Sequence, residues 1–490
     1  MKLLTHLEKS RQLWFLLFIS FLFFLLRLPS LIEPYWYGDE GIYEVIGIAL
    51  NHGSMLYSQI WDNKPPLLYL LYALAQGDQF AIRAYSIFAG VLSIIIFYYL
   101  SKSLFRSPRI SNITTTIYLL LFATPFIEGN IANAENFMPL FIIPAAFLIY
   151  KSLEVRKKRY LLLIHFYAGI LLGISFLFKT IAFFDFSAFF VFILLHHTGN
   201  YKKSTKKLAM YVLGFFLPLL LTALYFFARG TLNDFIQATF FSNIGYVGYE
   251  NKFIIGQGLL AIKILLLFIA VGFVFWKKKA MPTNISFIFL WFLFSSFSAI
   301  FSGRPWTHYL LVMIPATTLL IGVLLDKTTI KTRPFIIGFL VVALYVTIVF
   351  FKINLGSIGG VFSYYKNFAL FITNNKSTSS YQEYFDKKVT RDYEVARFLA
   401  SKTKPGEVIF VWGNNPQIYV LSKTLPPGKY TVEYHISQSK NALSKTASDI
   451  TRTNPRFIVI LSEMHNFPFS TNAYTNRFSL KGADIYERTL

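Results

Sequence analysis

Eleven apolar runs, separated by loops of alternating character, constrain this chain more than any other feature. A bilayer-spanning helix needs about 20 mostly apolar residues. Residues 12–32, 82–105, 113–126, 137–150, 160–178, 181–197, 208–228, 253–276, 285–301, 309–325 and 334–352 approach or meet that length. Hydrophobic residues make up 55% of the 490 and charged ones only 14%, where a soluble domain carries about 25% charged. That balance excludes a disordered chain and an ordinary water-soluble enzyme. The first run is too long, and lacks the small-residue cleavage site, for a removed signal peptide; it reads as a retained signal anchor.

A formal charge of +23 would suggest nucleic acid in a soluble protein, but here its location decides otherwise. The basic residues cluster in every second loop: Lys2/Lys9/Arg11, Lys102/Arg106/Arg109, Lys151 with residues 156–159, Lys202/Lys203/Lys206/Lys207, Lys277/Lys278/Lys279 and Lys327/Lys331/Arg333. These hold 21 basic residues against three acids, Glu8, Glu154 and Asp326. The positive-inside rule places those loops and the N-terminus in the cytoplasm. Everything after residue 352 then lies outside, and no nucleic-acid partner is expected. With no cysteine, disulfides, thiolate nucleophiles and Cys-based metal sites are excluded.

The outward segments are acidic instead. Residues 33–81 carry Glu33, Asp39, Glu40, Glu44, Asp62 and Asp78 against one Lys64, and the next outer loop has Glu128 and Glu135. A long structured loop is usually functional. Its first half predicts an amphipathic helix from Gly38 or Asp39 to Leu50, with Asp39 either its cap or a reactive carboxylate. Side chains at i and i+1 of a helix diverge, so at most one of Asp39 and Glu40 faces a shared centre. In Trp61-Asp62-Asn63-Lys64-Pro65-Pro66 the prolines predict a helix beginning at 65 or 66, with Lys64 at its positive end. That makes either an anion site suited to phosphate or a surface helix capped by Asp62 or Asn63.

Other candidates sit at outer helix ends. Lys179 lies between the fifth and sixth runs and Asp185 inside the sixth, where a charge pairs or faces a water-filled cavity; a Lys179–Asp185 pair is one reading. Arg304 and His308 occupy the tight loop Gly303-Arg304-Pro305-Trp306-Thr307-His308-Tyr309. Snorkelling is one reading of Arg27 and Arg83, and the favoured one for Arg27. The tail, residues 353–490, reads as a separate small α/β domain, with a helix over 391–401, strands over 408–412 and 457–461, and a turn around Pro426-Pro427-Gly428.

Asp39-Glu40-x-x-Tyr43, Asn63-Lys64-Pro65-Pro66-Leu67, Glu135, Lys179 and Arg304…His308-Tyr309 together resemble the GT-C fold glycosyltransferases that use polyprenyl-phosphate sugars. The nearest branches are the bacterial aminoarabinose- and mannosyltransferase-like proteins, including the RgtA/B/C/D-like group. The resemblance covers roughly the first 330 residues, and the tail, with Val411-Trp412-Gly413 and Pro416-Gln417-Ile418-Tyr419, is similar to the small outer domain many members carry. It implies a polytopic α-helical transmembrane domain over residues 1–352 and an extracytoplasmic α/β domain over 353–490. By this resemblance Asp39 is the base toward the acceptor, Lys64 holds the donor phosphate and Glu135 is the second-loop carboxylate completing the site. Glu40 is a further catalytic candidate, Lys179 and Arg304 candidate phosphate ligands, and Tyr43, Asp62, Asn63, Asp185, His308 and Tyr309 other site residues. Some relatives have Arg where Ile42 stands and a metal-associated Glu where Asn63 stands; Asp62 and His308 remain the candidates for a divalent ion.

The expected activity is sugar transfer from a polyprenyl-phosphate donor to a lipid, glycan or protein acceptor at the outer face of the cytoplasmic membrane, with inversion. No Gly-rich nucleotide-phosphate fingerprint appears in the cytoplasmic loops. A transporter or flippase of an anionic lipid is the rival, although no repeat symmetry with broken helices is visible. A structural scaffold would leave the charged loop idle.

Overall fold

A computed structural model describes residues 2–196, 201–251, 257–326, 333–353, 355–437, 440–464 and 466–488. Every apolar run holds a helix: Lys2–Arg27, Gln79–Phe105, Pro108–Ala123, Pro139–Lys151, Lys158–Phe176, Ala182–Leu195, Tyr201–Ala228, Gly258–Lys277, Thr283–Ile300, Ile314–Leu325 and Arg333–Phe350. Among the described residues seven segments are long and apolar enough to cross a membrane. Pro108–Ala123 and Pro139–Lys151 are shorter, at 16 and 13 residues, because the chain between them breaks into a 3-10 turn at Pro125–Ile127 and the short helix Ala134–Phe137. The start of the run at 253, the end of that at 197, and the basic residues Lys327 and Lys331 fall outside the described residues. The fold is that of a multi-pass α-helical membrane protein.

The chain forms two compact units. One comprises Met1–Leu28, Ala84–Tyr225 and Phe241–Phe362; the other comprises Pro29–Arg83, Phe226–Phe240 and Ser363–Leu490. These units do not follow a boundary at 352/353, because the first outer loop packs with the tail. The physical reason is apolar. Val45, on loop helix α1 (Gly38–Asn51), shares one core with Val395, Leu399, Val411, Ile418 and Val459 of the tail.

In the helical unit, Lys158–Phe176 and Tyr201–Ala228 meet backbone to backbone. A Cβ at Gly169 would lie 2.1 Å from the Tyr211 carbonyl oxygen, and one at Gly214 would lie 2.0 Å from that of Phe166. Such small-residue contacts take the place of a hydrophobic driving force in lipid. Arg27 does not snorkel. It is fully buried and donates to the carbonyl oxygens of Gly129 and Asn130 and to Ser86 Oγ.

The tail is α/β, as expected. Strands β1 (Phe410–Trp412), β2 (Phe457–Leu461), β3 (Tyr474–Leu480) and β4 (Ala483–Arg488) form a sheet of order β1-β2-β4-β3. β1 and β2 are parallel; β4 is antiparallel to both its neighbours. Alternating side chains serve two cores: Val411, Val459 and Leu461 on one face, Phe410, Trp412 and Ile458 on the other. Lys481 and Gly482, at φ +46° and +87°, close the β3–β4 hairpin with the positive-φ pair that a two-residue turn needs.

Candidate active site

The first charged cluster belongs to the loop-and-tail unit. α1 starts at Gly38, so Asp39 and Glu40 fall in its first turn; its cap is Tyr37, which makes no side-chain capping bond. α2 (Pro66–Leu74) is capped by Pro65, again without a side-chain bond. Neither Asp62 nor Asn63 is the cap, and Lys64 stands just ahead of a helix N-terminus. Gly47 lets α1 and α2 touch: a Cβ there would be 2.7 Å from the Tyr72 backbone.

That packing gathers the charges. Lys64 Nζ lies 3.3 Å from Asp62 Oδ2, 3.9 Å from Asp39 Oδ2 and 4.8 Å from the centre of the Tyr43 ring. Tyr43 OH donates to Asp39 at 3.1 Å and Tyr69 OH to Asp62 at 2.8 Å. The Lys64 backbone is pinned on both sides: its N–H donates to Tyr69 OH, and its carbonyl accepts from Tyr57 OH. Burial pushes the Asp62 carboxyl up, but Lys64, His435, the Asn63 backbone and Tyr69 outweigh it and hold it below the usual Asp value. Asn63 is half-buried beside them.

The tail contributes His435, which no spacing in the sequence marks. Its Nε2 lies 3.8 Å from Asp62 Oδ1, and its ring meets Trp61 edge-on at 4.9 Å. Burial pushes its imidazole down to about 4 despite Asp62, so it is neutral at pH 7. The Trp61 N–H donates to the Lys429 carbonyl at 2.9 Å, tying the same two segments.

Glu40 is elsewhere. It is buried against Arg83, with Oε2 2.5 Å from one guanidinium nitrogen, and Glu33 lies 2.9 Å from another. Arg83 also donates to the Ser30 carbonyl at 2.6 Å, so this arginine is a buried structural clamp and does not snorkel. Glu40 is therefore removed from the expected reaction centre. Glu44 is fully buried and its carboxyl oxygens have no hydrogen-bond partner among the described residues. Burial, then Glu40, pushes its carboxyl well above the usual range.

The second cluster belongs to the helical unit. Lys179 is ion-paired with Glu135 and lies 4.4 Å from the centre of the Tyr309 ring. His308 Nδ1 is 3.0 Å from Glu128 Oε2, and its Nε2 is 3.9 Å from Glu135 Oε1; Thr307 Oγ1 donates to Glu128 at 2.5 Å. Burial pushes Glu135 up, yet Lys179 and His308 outweigh it and hold it low. Three loops assigned to one membrane side thus meet in one place. Glu128, in the left-handed region at φ +63°, is the member that motif reasoning passed over. Arg304 is half-buried on the same loop, its backbone N–H donating to Ser302 Oγ at 3.3 Å. The Lys179–Asp185 pair does not form: Asp185 accepts from Trp291 Nε1 at 2.7 Å, and Lys179 turns to Glu135.

Asp62 Oδ2 already faces an ammonium and a phenol, and Glu135 is held by Lys179. Among the described residues no group of three or more His, Asp or Glu is arranged to hold a metal.

Comparisons with known proteins bear out the resemblance. Residues 64–226 match the family described as dolichyl-phosphate-mannose-protein mannosyltransferase. Two undecaprenyl phosphate-α-4-amino-4-deoxy-L-arabinose arabinosyl transferases, from Pseudomonas aeruginosa and Pseudomonas paraeruginosa, are each 28% identical over 179 residues. Those matches cover 34% of this chain and 32% of each relative, so the alignment spans about a third of their length. The crystal structure of ArnT from Cupriavidus metallidurans bound to undecaprenyl phosphate superposes with a TM-score of 0.59 at 12% identity, covering 97% of this chain and 98% of that one. Its apo form gives 0.60 at 14% identity over the same shares. The chain has the GT-C-like fold of ArnT.

Proposed function

We propose that this protein is a membrane glycosyltransferase that moves a sugar from a polyprenyl-phosphate donor to an acceptor hydroxyl. The observation that carries this reading is the single ammonium of Lys64 held between two carboxylates ahead of a helix N-terminus. Glycosyl transfer from a phosphate donor needs a base for the acceptor and a positive clamp on the leaving phosphate, and one loop supplies both. The family match, which begins at Lys64 itself, and the ArnT-like fold point the same way.

In this reading the donor phosphate takes Lys64 as its counter-ion, and Asp39 gives up its share of the ammonium to face the acceptor. The acceptor oxygen attacks the anomeric carbon and its proton passes to Asp39. The bond from that carbon to the phosphate oxygen breaks, and the phosphate leaves with the electron pair, held by Lys64. Attack opposite the leaving group inverts the anomeric centre. Tyr43 and Tyr69 keep the two carboxylates apart by hydrogen-bonding one each. Within the second cluster, Glu135 sets the position of Lys179. The basic loops face the cytoplasm and the acidic loops and tail face outward, so the donor is a lipid-linked sugar and not a cytoplasmic nucleotide sugar.

The test is donor consumption by purified protein given a panel of polyprenyl-phosphate sugars, with membranes as acceptor source, wild type beside Asp39→Asn. Transfer by wild type alone is the expected result. No consumption of any donor, with lipid translocation in vesicles instead, would replace this reading by a flippase.

A further inference from the structure

We infer that the loop-and-tail unit carries, apart from the reaction site, a pocket for an acidic saccharide. A cavity of about 350 Å³ opens where the turn Pro426-Pro427-Gly428 meets the end of α1 and the helix Lys440–Thr453. Ser58, Gln59, Lys429, Lys445, Asp449 and Arg452 are among its lining residues. Lys445, Asp449 and Arg452, at i, i+4 and i+7, fall on one face of that helix. Asp449 presses so closely on the turn that Gly428 has no room for a Cβ. Its Oδ1 lies 3.1 Å from an Arg452 nitrogen and 3.8 Å from Lys445 Nζ. The Asp449 side chain is 7% exposed, those of Arg452 and Lys445 67% and 52%, so one buried acid anchors two cationic heads that reach into water. Lys445 makes no hydrogen bond among the described residues, and Arg452 spends one terminal nitrogen on Asp449 and the Pro427 carbonyl. Lys429 is drawn to Asp234 at 3.5 Å. Even with Asp234 counted, these cations outnumber the carboxylates.

Neutral groups in the same cavity select a saccharide over a bare anion. Ser58 brings a hydroxyl, and the Gln59 amide oxygen is taken by the Met55 N–H at 2.7 Å, which leaves its amide nitrogen without a partner among the described residues. Hydroxyl and amide groups read ring hydroxyls, and the loosely held lysine and arginine read an acidic substituent. The same turn also grips the loop that carries Lys64. The Lys429 carbonyl accepts from the Trp61 N–H at 2.9 Å, and the Tyr430 ring lies 5.6 Å from that of Trp61. The pocket is therefore a subsite for the acidic part of an extended acceptor glycan. That assignment to the acceptor rests on the proposed transfer reaction, whereas the binding itself does not.

The test is isothermal titration calorimetry of the full-length protein with trigalacturonate, its uncharged methyl ester or inorganic phosphate. The variants are Lys445→Gln, Lys445→Gln/Arg452→Gln and, as a charge-matched control on the tail helix Val389–Lys402, Arg397→Gln/Lys402→Gln. Wild type and control should bind trigalacturonate in preference to the ester and to phosphate. The double variant should bind it about 10-fold more weakly, the effect of one charge-assisted hydrogen bond. Lys445→Gln keeps the Arg452–Asp449 pair, and with it the local fold, and should show part of that loss. Equal loss in the control, equal binding of the ester, or phosphate binding as tightly as trigalacturonate would each overturn the pocket. In the transfer assay the double variant should raise the apparent KM for the membrane acceptor and leave kcat unchanged; an unchanged KM would overturn the acceptor subsite. If no form transfers sugar, the titration still decides the pocket, so failure of the transfer reading and failure of the pocket are told apart.

Discussion

Asp39 and Glu40 are neighbours in sequence and opposites in the fold: Asp39 turns to Lys64 at 3.9 Å, and Glu40 to Arg83 at 2.5 Å. The first-turn geometry of α1 separates them, so substitution should separate them too. Asp39→Asn removes a base worth about 100- to 10,000-fold and should lower the transfer rate by that order with an unchanged thermal midpoint. Glu40→Gln weakens a buried charge-assisted contact worth about 2 kcal/mol. It should lower the midpoint while the surviving protein turns over near the wild-type rate. Paired melting and initial-rate measurements decide, and the reverse pattern would move the base to Glu40.

Lys64 should behave as a charge aimed at the leaving phosphate. Loss of one such preorganised contact costs about 100- to 1,000-fold in rate, and Lys64→Ala should show it. Lys64→Arg keeps the charge but not the compact ammonium that fits between Asp39 and Asp62, so it should recover only part of the rate. Full activity in Lys64→Ala, measured at saturating donor, would remove the clamp from the mechanism.

Much of this architecture was legible in the sequence, and the parts that were not share a cause. The apolar runs, the helix starts at Gly38 and Pro66, and the strand Phe457–Leu461 follow from local periodicity and proline chemistry. Strands β3 and β4, Tyr474–Leu480 and Ala483–Arg488, were invisible because their alternation is diluted by polar residues facing solvent. The partition into units was missed because it depends on a long-range contact, Val45 against the tail core. His435 reaches Asp62 from nearly four hundred residues away, and no spacing rule links positions so remote. Snorkelling, the default for an arginine at a helix end, fails for Arg27 because buried carbonyls and Ser86 satisfy it, and the open case of Arg83 is decided by the buried partners Glu33 and Glu40.

Glu44 gives the stability a pH dependence of known sign. Its carboxyl is raised well above the usual range by burial and by Glu40. The native state therefore holds a proton that the unfolded chain releases above about pH 4.3. Stability from this group is full below that value and is lost as pH rises toward the native pKa. Asp62 has the opposite sign, but its window lies below about pH 3.9, so the two do not overlap. Glu44→Gln keeps the shape without the titration. Its melting temperature should exceed that of wild type by a margin that widens from about pH 5 to about pH 8; a constant margin would show that Glu44 does not titrate there.

Asp185 should prove to be a packing residue. Its Oδ1 accepts from the buried Trp291 indole at 2.7 Å, a bond that Asn can also accept. Asp185→Asn should therefore transfer sugar within about threefold of wild type, well under 1.4 kcal/mol in barrier. Asp185→Leu orphans the indole N–H and should lower stability by about 1–3 kcal/mol. An Asp185→Asn protein that melts normally yet is inactive would restore the ligand role.

Gly47 offers a test of how closely the reaction site depends on the approach of two short helices. A Cβ there would lie 2.7 Å from the Tyr72 carbonyl carbon and 2.8 Å from the Ala73 nitrogen, both backbone atoms that cannot rotate away. The same contact is fastened by Asn51, whose Nδ2 donates to the Ala73 carbonyl at 2.8 Å. Asp39 rides at the start of one helix, and Lys64 precedes the other, so pushing the helices apart widens the 3.9 Å gap between them. Gly47→Ala should cost about 1–3 kcal/mol through overpacking, and a shift near 1 Å is enough for about a 100-fold loss in rate. Gly53→Ala is the control: its φ of +87° makes the substitution strained, but nothing lies within 4 Å of the new methyl. That variant should lose stability and keep its rate. If both variants lose activity in proportion to their loss of stability, the helix contact has no specific part in placing the base against the clamp.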